Sequence, residues 1–322
     1  MTPPADDHRF LSRTSPHVPE ALLAQARGCG VPRVALVNAG APTPLQGLRE
    51  ACEAGLAEPI LLGDPIKILH AAGQIGWDIS PFRLVPAPGD SAAPRAAELV
   101  VAGEADAIMK GQIHTSAFLK GLLPSARGLR DKASTCGHVF HITVPGSDRP
   151  LFLTDAALNV RPDLATRQAC LTHAVRLAAL VGIDRPYAGI LAPSEDVTAT
   201  IPCTGEAAAI AAWAKGALRQ AVVEGPLALD LMLSRNAALV KGVESQVAGR
   251  VDIIVVPELN SGNALFKLMS LGMGACAAGV VMGAKVPILL TSRGQGAPDR
   301  IASAALGAIL AAEARAKRAA AA

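Results

Sequence analysis

VPRVALVNAGAPTPLQGLREACEAGLAEPILLGDP, residues 31–65, decides the fold class. Val31–Asn38 is an aliphatic run that stops at a polar residue followed by Ala39-Gly40, and a segment of helical spacing begins near Thr43. A second aliphatic run, Pro59–Gly63, ends on Gly63-Asp64-Pro65, a turn that opens another helix. Strands that are apolar on both faces and alternate with helices are the signature of a parallel sheet covered on both sides. The rhythm continues downstream. Ala105–Met109 is a third strand with a short helix over Thr115–Leu123, and a long helix is expected from Pro162 to Val181. Further strands are expected in YAGILAP (187–193), AVVEGPL (221–227), VDIIVVPE (251–258), ACAAGVVMG (275–283) and VPILLTS (286–292). A last helix starts from about Pro298. One stretch breaks the alternation: HVFHITV (138–144) and PLFLT (150–154), separated by the turn Pro145-Gly146-Ser147-Asp148, form a hairpin-like insertion that suits a domain crossover. The expected architecture is α/β, with two doubly wound domains and a cleft between them. Residues 19–138 plus 284–322 form the first domain and 139–283 the second, with 1–18 as a flexible arm.

The 322-residue chain is 51% hydrophobic but only 3% aromatic, so its core is built from Ala, Val, Leu and Ile. A net charge of +3 is too small for a nucleic-acid footprint, which needs clustered cations on one face. The one basic cluster, 315-RAKR-318, reads as a solvated helix end. Six scattered cysteines form no C-x-x-C pair, which points to reduced, mostly buried thiols. No uninterrupted apolar run reaches the ~18–20 residues that span a bilayer, and the N-terminus lacks signal-peptide character. A cytoplasmic protein without membrane partners is expected. His138 and His141 resemble an H-x-x-H pair, yet at strand period they face opposite ways, and no carboxylate–histidine spacing supports a metal site. Neither GxGxxG nor GxxxxGK[ST] is present.

Ligands of doubly wound sheets sit beyond the carboxyl ends of strands. Four strand ends carry polar groups directly after an aliphatic run: Lys110 to Ser116, Glu224-Gly225-Pro226 with Asp230, Glu258 to Asn263, and Thr291 to Gly294. In VPILLTSRGQGAPDR (286–300), the strand delivers Ser292 and Arg293, Gly294 and Gly296 let backbone approach a ligand, and Pro298 suits the first turn of a helix. A Gly-rich turn, an Arg and a helix N-terminus together favour an anion. Asp299 stands at that helix start as a candidate base. The same residues also fit a structural reading, with Ser292 and Asp299 capping the helix and Arg293 in a surface pair. Asn263 and Lys267 are four apart and share a helix face, either turned to substrate or as a cap and a solvated Lys. Lys110 and Lys120 are phosphate contacts or ordinary surface charges.

Taken in order, ADAIMKGQIHTSAFLKGLL (105–123), LFLTDAALNVRPDL (151–164), GPLALD (225–230), KGVESQVAGRVDIIVVPELNSGNALFK (241–267) and GAKVPILLTSR (283–293) resemble the phosphate acetyltransferase and phosphate butyryltransferase family over about residues 59 to 310. The resemblance implies a fold shared with isocitrate and isopropylmalate dehydrogenases and a homodimer. It also implies exchange of a short acyl group between coenzyme A and inorganic phosphate: acyl-CoA and phosphate on one side, CoA and acyl phosphate on the other. It implies that Ser292, Arg293 and Asp299 are catalytic, because the acetyl branch has a Ser-Arg pair with an Asp seven residues after the Ser. Lys120 stands where that branch has a substrate-binding Arg, keeping charge without the bidentate fork. Lys110, Thr115, Asn263 and Lys267 complete the substrate side. No metal and no organic cofactor is required, coenzyme A being a substrate. Ser270 replaces another Arg of the acetyl branch, while MKG, GPLALD and LTSR lean toward the butyryl branch. That branch continues SR-A-D-S, whereas here Ser292-Arg293 is followed by Gly294-Gln295-Gly296. Two other readings use the same fold or site: a metal-dependent dehydrogenase, and a non-catalytic protein that binds acyl-CoA or acyl phosphate.

Overall fold

The computed structural model describes residues 8–147, 149–290 and 296–321. In chain order its first elements are α1 (Glu20–Arg27), β1 (Arg33–Val37), α2 (Pro42–Glu53), β2 (Glu58–Gly63), α3 (Pro65–Gln74), β3 (Arg83–Pro86), α4 (Ala92–Val101), β4 (Ala107–Lys110) and α5 (Thr115–Leu122). Then come β5 (Gly137–Thr143), β6 (Leu151–Thr154), α6 (Leu164–Leu180), β7 (Tyr187–Leu191), α7 (Pro202–Ala217), β8 (Val222–Leu227), α8 (Leu229–Leu233) and α9 (Arg235–Lys241). The last are β9 (Ile253–Val255), α10 (Leu259–Lys267), β10 (Cys276–Met282), β11 (Ile288–Leu289) and α11 (Ala297–Ala321). The protein is thus mixed α/β. It divides into two compact units, one of residues 18–134 with 278–322 and one of residues 1–17 with 135–277, so the boundary falls inside β10. Among the described residues no helix is long and apolar enough to cross a membrane.

In the unit that contains β1, the strand order is β3-β2-β1-β4-β11-β10. All neighbours run parallel except β10 with β11. The chain winds outward from β1 through β2 to β3, then returns to the far side of β1 as β4. Right-handed crossovers therefore send the helices to opposite faces. In agreement, α2 packs on α11, and α4 on α5. The strands are buried on both faces, with Ala35, Leu36, Val37, Leu61, Leu62, Ala107 and Ile108 almost fully out of solvent. This accounts for the continuous aliphatic runs in the sequence. The chain enters α3 as the Asp64-Pro65 pair requires: Asp64 caps the N–H groups of Ile66 and Lys67, and Pro65 takes the first position.

The basic end of α11 keeps Lys317 and Arg318 exposed, as its composition suggests, but its two arginines are also paired. Arg318 donates to Asp106 Oδ1 (3.1 Å), Arg315 lies 3.6 Å from Oδ2, and Arg33 reaches Asp106 through its backbone N–H and its guanidinium. Arg315 also donates to the carbonyls of Cys29 and Gly30 after α1. Burial pushes the Asp106 carboxyl up, but the Arg33 guanidinium and N–H, with Arg315, outweigh it and hold Asp106 below its ordinary value. A carboxyl depressed in the folded state contributes stability that is present above its unfolded value and fades as pH falls through the folded one. Asp106→Asn is expected to cost about 2 kcal/mol at pH 7, discounted for the partly exposed arginines. Urea titrations should show the gap from the parent narrowing once pH falls below the ordinary carboxyl value of about 3.9 and closing as pH falls further. An undiminished gap there would disprove the charge as its cause.

The other unit has the order β5-β6-β9-β7-β8. β5 and β6 form the antiparallel hairpin expected from HVFHITV and PLFLT, and the remaining pairs are parallel. Helix α6 lies against β5, β6 and β9 and touches α7. A second cluster joins Phe140, Leu153, Leu231, Met232, Val247, Ile254 and Phe266. Within it the rings of Phe140 and Phe266 stack at 4.1 Å and 6°, which anchors α10 to the sheet. His138 and His141 are buried, edge-on to Phe140 and Phe152 respectively. Among the described residues no group of three His, Cys, Asp or Glu side chains could hold a metal ion. Residues 8–17 belong to this unit, and Ser12 N donates to Leu271 O at 2.8 Å.

Candidate functional site

The direction of winding in the β1 unit reverses between β1 and β4, and their carboxyl ends bear Asn38 and Lys110. This is the position at which doubly wound sheets bind ligands. Lys110 is half-buried at the last position of β4, in register with Val37. Its ammonium donates to the Gly111 carbonyl at 3.5 Å, among other contacts. The turn that follows is pinned to β1: Gly111 N donates to Val37 O and Gln112 N to Asn38 O, both at 2.9 Å. Only glycine fits, because a Cβ at position 111 would lie 2.2 Å from Val37 O and 2.6 Å from Asn38 O. Asn38 adopts a left-handed conformation (φ 56°), and its amide donates to Gly89 O. That conformation suits Asn better than most residues.

The turn leads into α5, which Thr115 begins. The preceding His114 contributes no side-chain cap. Uncapped N–H groups at a helix start attract anions. Lys120 lies further along α5 and is exposed. Gly121 lets α5 close on α4, since a Cβ there would stand 2.6 Å from that of Ala93.

Next to β4, in register, runs β11, with Leu289 opposite Met109, so the chain leaves this strand beside Lys110. Ser292 and Arg293 fall in 291–295, outside the described residues. Beyond them Asp299 sits in the first turn of α11, 3% exposed, and its Oδ2 accepts the Gly296 N–H at 3.0 Å. A clamp absent from the sequence reading fixes this turn. Arg300 makes a two-pronged contact with Glu50 of α2 at 3.0–3.2 Å, and Gly47 leaves room for the Arg300 side chain. Lys110, Thr115 and Asp299 are therefore all carried by the carboxyl-end region of one sheet.

Asn263 and Lys267 belong to the other unit. Both lie on α10, Asn263 half-buried and Lys267 exposed at its last position. Ser270 follows in a wide turn, Leu268–Gly272. Helix α10 is capped by Glu258, which accepts the N–H groups of Asn260 and Ser261. Burial raises the Glu258 carboxyl, but those N–H groups, the Ser261 hydroxyl and Arg161 prevail and lower it below its usual value. The polar strand end at Glu224 is structural. Glu224 accepts the Ser245 hydroxyl and the N–H groups of Gln246 and Val247, and Asp230 joins Lys241, which also lies near Glu195.

Sequence reading missed Asn38, Gly111 and the Glu50–Arg300 clamp. The K-G-Q word at a strand end was a signal for Gly111; nothing local marks a pair 250 residues apart.

The profile of the phosphate acetyl/butaryl transferase family matches residues 87–308. A phosphate acetyltransferase of Rhizobium meliloti is 41% identical over 281 residues, which cover 87% of this chain and 89% of that one. A phosphate butyryltransferase of Clostridium acetobutylicum is 36% identical over 281 residues, 87% of this chain and 93% of that one. Among solved structures, a branched-chain phosphotransacylase from Enterococcus faecalis V583 superposes with a TM-score of 0.74 at 27% identity, covering 87% of this chain and 99% of that one. The order of the strand-end words and these matches over most of the chain agree: it belongs to the phosphate acetyl/butaryl transferase family.

Proposed function

We propose that this acyltransferase exchanges a short acyl group, acetyl to butyryl, between coenzyme A and inorganic phosphate, by direct transfer in a ternary complex. In the same reading it is a cytoplasmic homodimer of the isocitrate/isopropylmalate dehydrogenase-like type, with coenzyme A as substrate and no resident cofactor. The family match carries the reading. It is supported by Asp299, a buried carboxylate at the head of α11, seven residues beyond Ser292.

In the direction of acyl-CoA synthesis, Asp299 takes the proton of the CoA thiol and the sulfur attacks the acyl carbonyl carbon. The S–C bond forms as the bond from carbon to phosphate oxygen breaks, and phosphate leaves with the electron pair. A thiol with an ordinary value near ~8.5 is only a few per cent ionised at neutral pH, so a placed base speeds attack by roughly 10²–10⁴-fold. Ser292 hydrogen-bonds the sulfur or the developing oxyanion, and Arg293 holds the phosphate. Lys110, Lys120 and Thr115 bind the phosphate and acyl side, with Asn263 and Lys267 as further substrate contacts.

Release of free thiol from acetyl-, propionyl-, butyryl- and longer acyl-CoA, with and without phosphate, tests the reading. Phosphate-dependent release is expected for at least one short chain. Tight CoA binding without turnover would favour a binding protein, and NAD reduction a dehydrogenase; either sinks the proposal. With the reaction run in the opposite direction, from acyl phosphate and CoA as substrates, Asp299→Asn should lower turnover about 10²-fold near neutral pH, and the deficit should narrow as the buffer passes the thiol's own value near ~8.5. A deficit independent of pH would remove Asp299 as the base.

A further inference from the structure

Asp155 follows β6 and is 3% exposed. Its carboxylate gathers five N–H donors, and the Cys170 thiol stands 4.0 Å from Oδ2. Oδ1 accepts the N–H groups of Ala157 and Leu158, both at 2.9 Å. Oδ2 accepts the N–H groups of His138 (3.1 Å) and Asn159 (3.3 Å) and the Asn159 side-chain amide (2.7 Å). That amide also donates to Cys136 O at 3.0 Å, and the Thr154 hydroxyl donates to His138 O at 2.8 Å. The loop after β6 is thus wound around one buried carboxylate and tied to β5. Nothing in the acyl-transfer chemistry described above uses Asp155.

The loop ends on α10 at two points. Ala156 lies against Gly262 so closely that a Cβ on the glycine would stand 2.9 Å from both Cα and Cβ of Ala156, and 2.9 Å from Val256 Cγ2. Leu259 N donates to Val160 O at 3.2 Å. Asn263 is the residue after Gly262. With the Phe266–Phe140 stack holding the other end of the helix, the loop sets where the first turns of α10 lie.

We propose that Asp155 is a positioning residue for acyl transfer: by organising residues 156–160 it fixes the start of α10 and so presents Asn263 to substrate. The proposal rests on the reading of Asn263 as a substrate contact. An amide at position 155 cannot replace the carboxylate, because in either orientation its NH₂ group faces N–H groups that need an acceptor.

A double-mutant cycle tests this with the full-length protein. Thiol release from butyryl-CoA, with phosphate varied, gives kcat and KM for the parent, Asp155→Asn, Asn263→Ala and the double variant; thermal unfolding is followed in parallel. Asp155→Asn is expected to lower kcat/KM by at least tenfold in the parent but less than threefold in the Asn263→Ala background, because its effect passes through that amide. If the two factors simply multiply while Asn263→Ala is itself impaired, Asp155 is a structural residue and the proposal falls alone. An Asn263→Ala enzyme with parental kinetics removes both the reading of Asn263 and the proposal. Should Asp155→Asn fail to fold, Asn159→Ala carries the same cycle, since it keeps the carboxylate and removes the bridge to Cys136; a multiplicative outcome there overturns the proposal equally.

Discussion

Replacing Arg293 by alanine is expected to lower kcat for acyl transfer by about 10²–10³-fold, with the thermal midpoint within about 2 °C of the parent. Negative charge grows on the phosphate and on the acyl oxygen as the S–C bond forms, and a preorganised donor aimed at it is worth roughly 3–4 kcal/mol. On the described residues to either side of 291–295, Leu289 pairs in register with Met109 of β4, and the Gly296 N–H binds the Asp299 carboxylate. Both anchors are firm, the first by the sheet and the second by the Arg300–Glu50 clamp. Arg293→Lys should recover only part of the loss, since a point charge replaces a two-pronged fork. Stopped assays with butyryl-CoA and phosphate measure the effect. An alanine variant within threefold of the parent would remove Arg293 from the mechanism.

How much of this was legible in the sequence follows from what each feature depends on. The strands β1, β2, β4 and β9 announce themselves because burial on both faces makes them aliphatic without interruption, and the hairpin β5–β6 because Pro145-Gly146 interrupts the rhythm. Among the described residues of VPILLTS, 286–290, Ile288–Leu289 pair as strand while the apolar residues beside them do not. Apolar composition records burial, whereas strand length depends on ladder partners. The candidate site was legible where chemistry follows a strand directly, as at Lys110, or opens a helix, as at Asp299. It was not legible where long-range pairing does the positioning. Nothing local shows that Arg315 and Arg318, the latter still exposed, pair with Asp106. Asp155 looks like a turn residue until its five N–H donors are assembled.

Gly111→Ala tests the other end of that logic, where a single hydrogen-to-methyl change meets backbone. The added carbon would lie 2.2 Å from Val37 O and 2.6 Å from Asn38 O, both main-chain atoms of the neighbouring strand end with no rotamer to change. Relief requires β1 and β4 to part at their carboxyl ends, which stretches the bonds from Gly111 N to Val37 O and from Gln112 N to Asn38 O. Backbone overpacking together with two weakened hydrogen bonds should cost about 3 kcal/mol, a fall of roughly 6–12 °C in the thermal midpoint. The displaced turn carries Lys110 before it and Thr115 after it, so KM for phosphate should rise along with the loss of stability. Gly73→Ala is the matching control. Gly73 lies inside α3 with nothing within 4 Å of its would-be Cβ, and alanine there should stabilise the protein by about 0.5–1 kcal/mol while leaving KM alone. A Gly111→Ala protein as stable and as active as the parent would mean that the strand ends separate freely, and that the pinned turn does not hold Lys110 in place.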